Sequence, residues 1–127
     1  MEWLKLFNMD NKEFGKKLEQ RTKEFAIKII KLSVNLPSLS EGRVIKNQLT
    51  KSGTSVGANY REANRARSKA DFKNKIKICE SEASETVYWL EIIDNLNWIK
   101  FEELQLIMKE ASELLAIFTS IGKNLNN

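Results

Sequence analysis

The sequence predicts an all-α protein, an antiparallel up-down-up-down four-helix bundle that forms a single domain. The 127 residues include one proline and five glycines, too few chain breakers for the frequent turns of a sheet. Apolar residues recur at spacings of three and four along four long segments, and short connections join those segments. We assign residues 18–125 to the bundle and residues 1–17 to an N-terminal extension with the potential for flexibility.

The first predicted helix runs from about Leu18 to Asn35 and stops before Pro37. Its apolar residues follow the helical period, at Phe25, Ile29, Leu32 and Leu36. The second begins near Glu41, with Ser40 as its N-cap. Gly53 and Gly57 each weaken this helix by about 1 kcal/mol relative to alanine. Because glycine has no side chain, they also narrow the helix at this point, and we expect the backbone of a neighbouring helix to approach closely here.

The third predicted helix starts at a capping box, in which Asp71 follows Ser68 by three residues. It extends to about Asn95 with seven core positions at spacings of four and three: Phe72, Ile76, Cys79, Ala83, Thr86, Leu90 and Ile93. A loop over residues 95–100 leads to the fourth helix. That helix is defined by Leu104, Ile107, Ala111, Leu114, Leu115, Phe118 and Ile121, with Gly122 as its end signal.

Polar residues on the inward side of the second helix need hydrogen-bond partners, because buried polar groups are almost always paired. Two carboxylates of the third helix are candidate partners. We predict a buried or interfacial hydrogen-bond network that links the two helices and sets helix register or subunit geometry. Its members are Gln48, Ser52, Asn59, Glu82 and Glu85.

The third helix carries a second apolar stripe beside its core positions. We name this set the α3 stripe, and it consists of Ile78, Trp89, Ile92 and Leu96. An apolar patch that contains tryptophan is typical of a subunit interface, which predicts a homo-oligomer. The alternative interpretation is a wide core face that also packs against the fourth helix.

Positive charge is concentrated in the middle of the chain. The net charge is +4, yet residues 43–77 hold ten basic residues against two acidic ones. Clustered lysine and arginine bind phosphate backbones, so the pattern favours nucleic acid as a partner. The predicted basic surface lies at the end where the second and third helices meet, and Arg61, Arg65, Arg67, Lys69 and Lys73 crowd this end. The predicted contact residues are Arg43, Lys46, Arg61, Arg65, Arg67, Lys69, Lys73 and Lys77. The alternative is a solvated helix face, and no base-reading motif is present.

The sequence lacks the residues that several classes of function require. The chain has no histidine, which removes the commonest general base and a frequent metal ligand. It has no Gly-rich phosphate loop, and the Glu82–Glu85 pair fits a structural role better than a catalytic one. A lone cysteine, with no signal peptide and no membrane span, suits a reducing compartment. We therefore expect a cytoplasmic, non-enzymatic protein without cofactor or metal.

Two long blocks of sequence resemble a known family. They are the run from Gln48 through Ser52–Ala63 to Arg67–Phe72, and the run Ile76–Glu91. Both resemble the bacterial four-helix bundle proteins encoded in intervening sequences of 23S ribosomal RNA genes. The resemblance covers roughly residues 25–121, and Cys79 stands where alanine is usual in the family.

This resemblance implies an antiparallel four-helix subunit, assembly into a homopentameric ring and an association with RNA, without catalytic residues. Related bundles are accessory proteins of reverse transcriptases in diversity-generating retroelements. The first hypothesis is therefore an oligomeric scaffold that binds nucleic acid, with RNA favoured. The alternatives are an adaptor for a nucleic-acid enzyme such as a reverse transcriptase, and a purely structural oligomer.

Overall fold

A computed structural model describes residues 11–126 and shows an all-α, single-domain four-helix bundle. The helices are α1 (Asn11–Ser33), α2 (Ser40–Ala63), α3 (Lys69–Leu96) and α4 (Phe101–Leu125). Because the connections between them are only a few residues long, successive helices run antiparallel. Helix α2 packs between α1 and α3, and α3 packs between α2 and α4. The predicted fold class is confirmed.

Three helix boundaries differ from the prediction. Helix α1 begins at Asn11, seven residues before Leu18, and residues 1–10 of the predicted extension lie outside the described part. Helix α2 begins at Ser40, and Leu39, which has no capping side chain, takes the N-cap position. Helix α4 continues through Gly122 to Leu125. It does so because Leu125 is buried in the core, and this burial extends the helix past a glycine.

The ends of α3 have the local chemistry that starts and stops a helix. The Ser68 hydroxyl oxygen accepts a hydrogen bond from the backbone N–H of Asp71, at 3.1 Å. This bond satisfies one of the free N–H groups of the first turn and confirms the predicted start of α3. At the other end Asn97 adopts a left-handed conformation with φ 57°, which turns the chain toward α4.

The core contains all seven positions predicted on α3, and the helical spacing therefore identified the buried face correctly. The four apolar positions predicted around α1 are also buried, as are five of the seven on α4, while Leu115 and Ile121 are half-buried. Near the centre the rings of Tyr60 and Phe118 meet edge to face, with centroids 5.5 Å apart. This ring contact joins α2 directly to α4 across the bundle.

Helix α1 approaches α2 most closely at two glycines. A Cβ atom added at Gly53 would lie 2.8 Å from Cγ2 of Ile29, and one added at Gly57 would lie 3.0 Å from Oγ1 of Thr22. Ile29 and Thr22 are fully buried, so a shift of either side chain would disturb its other core contacts. The predicted thin region of α2 therefore exists, and its missing side chains allow the two helices to touch.

We expect Gly53→Ala to lower the free energy of unfolding by about 1 kcal/mol, because overpacking costs more than the gain in helix propensity returns. Gly122→Ala is the matched control, since its new methyl group would meet ordinary contacts at 3.7 Å and beyond. That variant should be more stable than the wild type, by up to about 1 kcal/mol. Urea denaturation of both variants measures the difference, and equal shifts would contradict the close packing at Gly53.

Cys79 is a fully buried core residue on α3, and its thiol lies 3.6 Å from the carbonyl oxygen of Val56. Burial raises the pKa of this thiol from 9.0 to about 12. In the unfolded chain the thiol ionises near its ordinary pKa, while in the folded chain it stays protonated. Its contribution to stability is therefore fully present below about pH 9 and is lost as the pH rises toward 12.

Stability should consequently fall between pH 9 and pH 10, with Cys79 contributing up to about 1.4 kcal/mol per pH unit. Burial also raises the pKa of Tyr60 to about 12, but an unfolded tyrosine ionises only near pH 10. The thiol therefore makes the larger contribution between pH 9 and 10, and the contribution of Tyr60 is the same in the wild type and in Cys79→Ala. Urea denaturation of Cys79→Ala should show a shallower decline over this interval than the wild type. Identical pH slopes would contradict the burial of an ionisable thiol.

Candidate nucleic-acid interface

Five of the predicted contact residues lie together where α2 ends and α3 begins. They are Arg61, Arg65, Arg67, Lys69 and Lys73. The turn between the helices is held by backbone bonds from Arg65 N–H to the Glu62 carbonyl and from Ala66 N–H to the Ala63 carbonyl. Because the alanines of this turn are buried, the side chains of Arg65 and Arg67 extend into solvent. The connection is therefore an exposed, basic end of the bundle.

Arg43 and Lys46 do not belong to this group. They lie in the first two turns of α2, and a helix rise of 1.5 Å per residue places Arg43 about 27 Å from Arg61. Arg43 donates a hydrogen bond to the Ser38 carbonyl oxygen, at the opposite end of the bundle. The structure therefore does not bring Arg43 and Lys46 together with the basic residues at the α2–α3 end, because the length of a helix separates the two groups. Lys77 lies eight residues into α3, on the same half as Arg61.

The start of α1 adds positive charge that the sequence analysis missed. Antiparallel packing brings Asn11–Thr22 beside the end of α2, where the side chains of Asn64 and Glu19 are hydrogen-bonded at 2.8 Å. Lys12, Lys16 and Lys17 therefore join the same end of the bundle. These residues are far from Arg65 in sequence, and only the helix packing brings the two groups together.

The described chain divides into two halves of different charge. We define the basic half as residues 11–22, 53–80 and 113–126, which share one end of the bundle. It holds twelve lysine and arginine residues against six aspartate and glutamate residues, a balance of +6. The other half, residues 23–52 and 81–112, holds eight basic against nine acidic residues, a balance of −1. The net positive charge of the described residues is thus concentrated at one end.

Acidic neighbours neutralise only part of the basic half. Arg61 lies 3.4 Å from a Glu19 carboxylate oxygen, and Lys75 lies 3.0 Å from Glu62. The hydrogen bond that Lys75 donates to the Glu62 carboxylate is the main reason that the pKa of Lys75 is raised. Within residues 11–126, no carboxylate pairs with Arg65, Arg67, Lys69 or Lys73. These four cations remain available to an external anion.

The α3 stripe lies on the side of α3 toward α2 and away from α4. Glu82 on this side feels the charge of Lys51 on α2, whereas Glu80 on the opposite side is near Gly122 of α4. Trp89 and Ile92 are half-buried, while Ile78 and Leu96 are exposed. The stripe is therefore not a wide core face for α4, and part of it remains uncovered in the single chain.

A buried hydrogen bond between two hydroxyl groups joins α2 to α3, and its partners differ from the predicted network. Ser52 is buried and lies 2.9 Å from the Thr86 hydroxyl, which is the donor. Asn59 instead donates to the Ser55 carbonyl of its own helix, and Glu85 accepts from Trp89 on α3. Of the five predicted members, only Ser52 forms a hydrogen bond between helices in the described chain, and Gln48 forms none. Helical position identified the inward face but not the partner.

Glu82 lies beside this link without taking part in it through its carboxylate. Partial burial raises the pKa of Glu82, and the negative charge of Glu85 raises it further, while Lys51 lowers it. The direction of the shift reflects mainly the partial burial of the carboxylate, which disfavours its charged form.

Between residues 11 and 126 no group of three or more cysteine, aspartate or glutamate side chains converges in a way that could hold a metal ion. None of the four helices combines the length and hydropathy that a membrane crossing requires.

Comparison with known proteins places this bundle among related sequences. A family model described as 23S rRNA-intervening sequence protein matches residues 16–120. The chain is also similar to the crystal structure of a protein with unknown function from the S23 ribosomal protein family of Bacteroides thetaiotaomicron VPI-5482. The two share 39% sequence identity with a TM-score of 0.76, over 83% of this chain and 97% of that chain. No curated protein matches the chain.

Proposed function

The chain belongs to the 23S rRNA-intervening sequence protein family, and from this premise we propose that it binds RNA through its basic half, as a cytoplasmic homo-oligomer without catalytic activity. The observation that carries the proposal is the +6 balance at one end of the bundle, with four cations there that have no carboxylate partner among the described residues. The family name links the chain to an RNA gene and states no activity.

The proposed mechanism is electrostatic. Each phosphate that a lysine or arginine neutralises releases counterions, so affinity falls steeply as salt increases. The cations project from helix ends and a turn. Among the described residues of the basic half, Phe14 is the one exposed aromatic side chain, and a single ring does not make a platform on which successive bases stack. Binding of this kind depends on charge and shape, with little dependence on base sequence.

The α3 stripe supports the oligomeric part of the proposal. Ile78 and Leu96 stay exposed in the single chain, on the same side of α3 as the half-buried ring of Trp89. Exposed apolar side chains around a tryptophan are typical of subunit contacts. An oligomer would present several basic halves to one polyanion, and their combined contacts would raise the apparent affinity.

We expect Arg65→Glu/Arg67→Glu to weaken binding of a single-stranded RNA by roughly tenfold or more at low salt, because two unpaired cations become anions. The salt dependence should also become less steep by roughly one unit on a log–log plot. Fluorescence anisotropy across a salt series measures both quantities.

Arg43→Glu/Lys46→Glu is the matched control, because it changes the net charge by the same amount in the other half of the bundle. This variant should bind RNA almost as well as the wild type. Equal losses in both double variants would show that total charge matters and its position does not. The proposal would be contradicted by that result, or by an absence of binding at low salt.

A further inference from the structure

Exposed apolar side chains are concentrated at the end of the bundle opposite the α2–α3 turn. We name it the apolar end and define it as residues 27–46 and 90–107, which are the outer two turns of each helix with the α1–α2 and α3–α4 connections. The five most exposed large apolar side chains of residues 11–126 all lie there, with exposed fractions from 58% to 75%: Val34, Leu39, Val44, Phe101 and Leu106. A group of this kind at one end is typical of a contact surface.

The apolar end has no net charge, but its charges are separated. The α1–α2 side, residues 27–46, holds four basic residues against one acidic residue, a balance of +3. The α3–α4 side, residues 90–107, holds one basic residue against four acidic ones, a balance of −3. Each side consists of two packed helices and the connection between them. Opposite charges therefore lie on two different sides of the same end.

The two charged sides do not neutralise each other within one chain. None of the ten charged side chains at the apolar end forms an ion pair within residues 11–126. Lys31, Arg43, Glu102 and Glu103 are exposed, and the one hydrogen bond of the Arg43 side chain goes to the backbone carbonyl of Ser38. Both sides are therefore open to a partner of opposite charge.

We propose that the apolar end binds the apolar end of a second copy in a two-fold symmetric contact. A two-fold axis across the two ends places the α1–α2 side of each copy over the α3–α4 side of the other. Val34, after α1, then lies over Phe101 at the start of α4, and each +3 side meets a −3 side. The inference adds an interface to the proposed oligomer and does not depend on RNA binding.

Charge favours this arrangement over the alternatives. A two-fold axis in the perpendicular direction would place each +3 side over the same side of the other copy, and like charges across an interface are repulsive. A contact between two basic halves would bring two balances of +6 together. In the proposed contact the two basic halves point in opposite directions, which keeps them apart.

The size of the contact predicts a reversible association. Four helices, each about 10 Å across with their side chains, give an end of roughly 400 Å² in cross-section. A standard stable interface buries about 800 Å² on each partner, so this contact is at the weak end of the range. Because charge contributes to it, the association should also weaken as salt increases.

Charge reversal tests the contact at low salt. Lys31→Glu/Arg43→Glu makes both sides acidic, whereas Glu102→Lys/Glu103→Lys makes both sides basic. At a concentration where the wild type associates, each variant alone should have a lower mass by light scattering, down to half that of the wild type. A 1:1 mixture should regain the wild-type mass, because the acidic sides of one variant match the basic sides of the other.

Lys109→Glu/Lys123→Glu is the matched control, since it makes the same charge change at exposed positions of α4 outside the apolar end. This variant should keep the wild-type mass. An equal loss of mass in the control, or an unchanged mass in both apolar-end variants, would overturn the proposal.

Cysteine crosslinking tests the orientation without a change of charge. A mixture of Val34→Cys and Phe101→Cys should give a covalent dimer under mild oxidation, and either variant alone should give none. The native Cys79 is fully buried and does not react under these conditions. A covalent dimer from Val34→Cys alone would show the other two-fold arrangement and overturn the proposal, as would a mixture that gives no dimer.

The outcomes separate this inference from the proposed function. RNA binding by anisotropy is independent of the contact, because the basic half exists in each single chain and lies at the other end. Apolar-end variants with unchanged mass and normal RNA binding overturn only this inference. A wild type that stays monomeric at every concentration overturns both this inference and the oligomeric part of the proposed function.

Discussion

The close contact of α1 with α2 at Gly53 determines how the other helices are placed. Ile29 is packed against the glycine backbone, and one residue earlier the buried Ser52 bonds to Thr86 of α3. The heights of three helices are therefore set by two adjacent residues of α2. Short connections then require antiparallel neighbours, which brings the start of α1 to the basic turn between α2 and α3. The distribution of charge and apolar surface follows from this arrangement.

The sequence predicted the fold class and the face of α3 that is buried, because helical spacing and the Ser68 capping box are local signals. It did not predict the start of α1. The stretch Lys12–Lys17 is mostly charged, and its helix is anchored by Gly15, which packs beside Tyr60 and Asn64. A contact made by a glycine places no apolar side chain at helical spacing, so the sequence pattern does not reveal it. The end of α4 was missed because Gly122 usually ends a helix, and the buried residue Leu125 lies beyond it.

The candidate interface was predicted in part. Residues from Arg61 to Lys73 meet because they flank one turn, and such proximity can be recognised from sequence. Arg43 belongs to the same helix as Arg61 but lies at its far end, while Lys12 is distant in sequence and close in the fold. The Ser52–Thr86 bond was missed because a helical angle gives the direction of a side chain and not its partner. Charge segregation is thus a property of the packed bundle more than of any segment.

The central claim is that RNA binds at one end of this bundle, and lysine footprinting tests it most directly. An amine-reactive reagent followed by mass spectrometry measures the modification rate of each lysine with and without RNA. The claim predicts that RNA slows modification of Lys12, Lys16 and Lys69 and leaves Lys28, Lys100 and Lys109 unchanged, although all six are exposed. Equal protection of both groups, or protection confined to the second group, would contradict the claim.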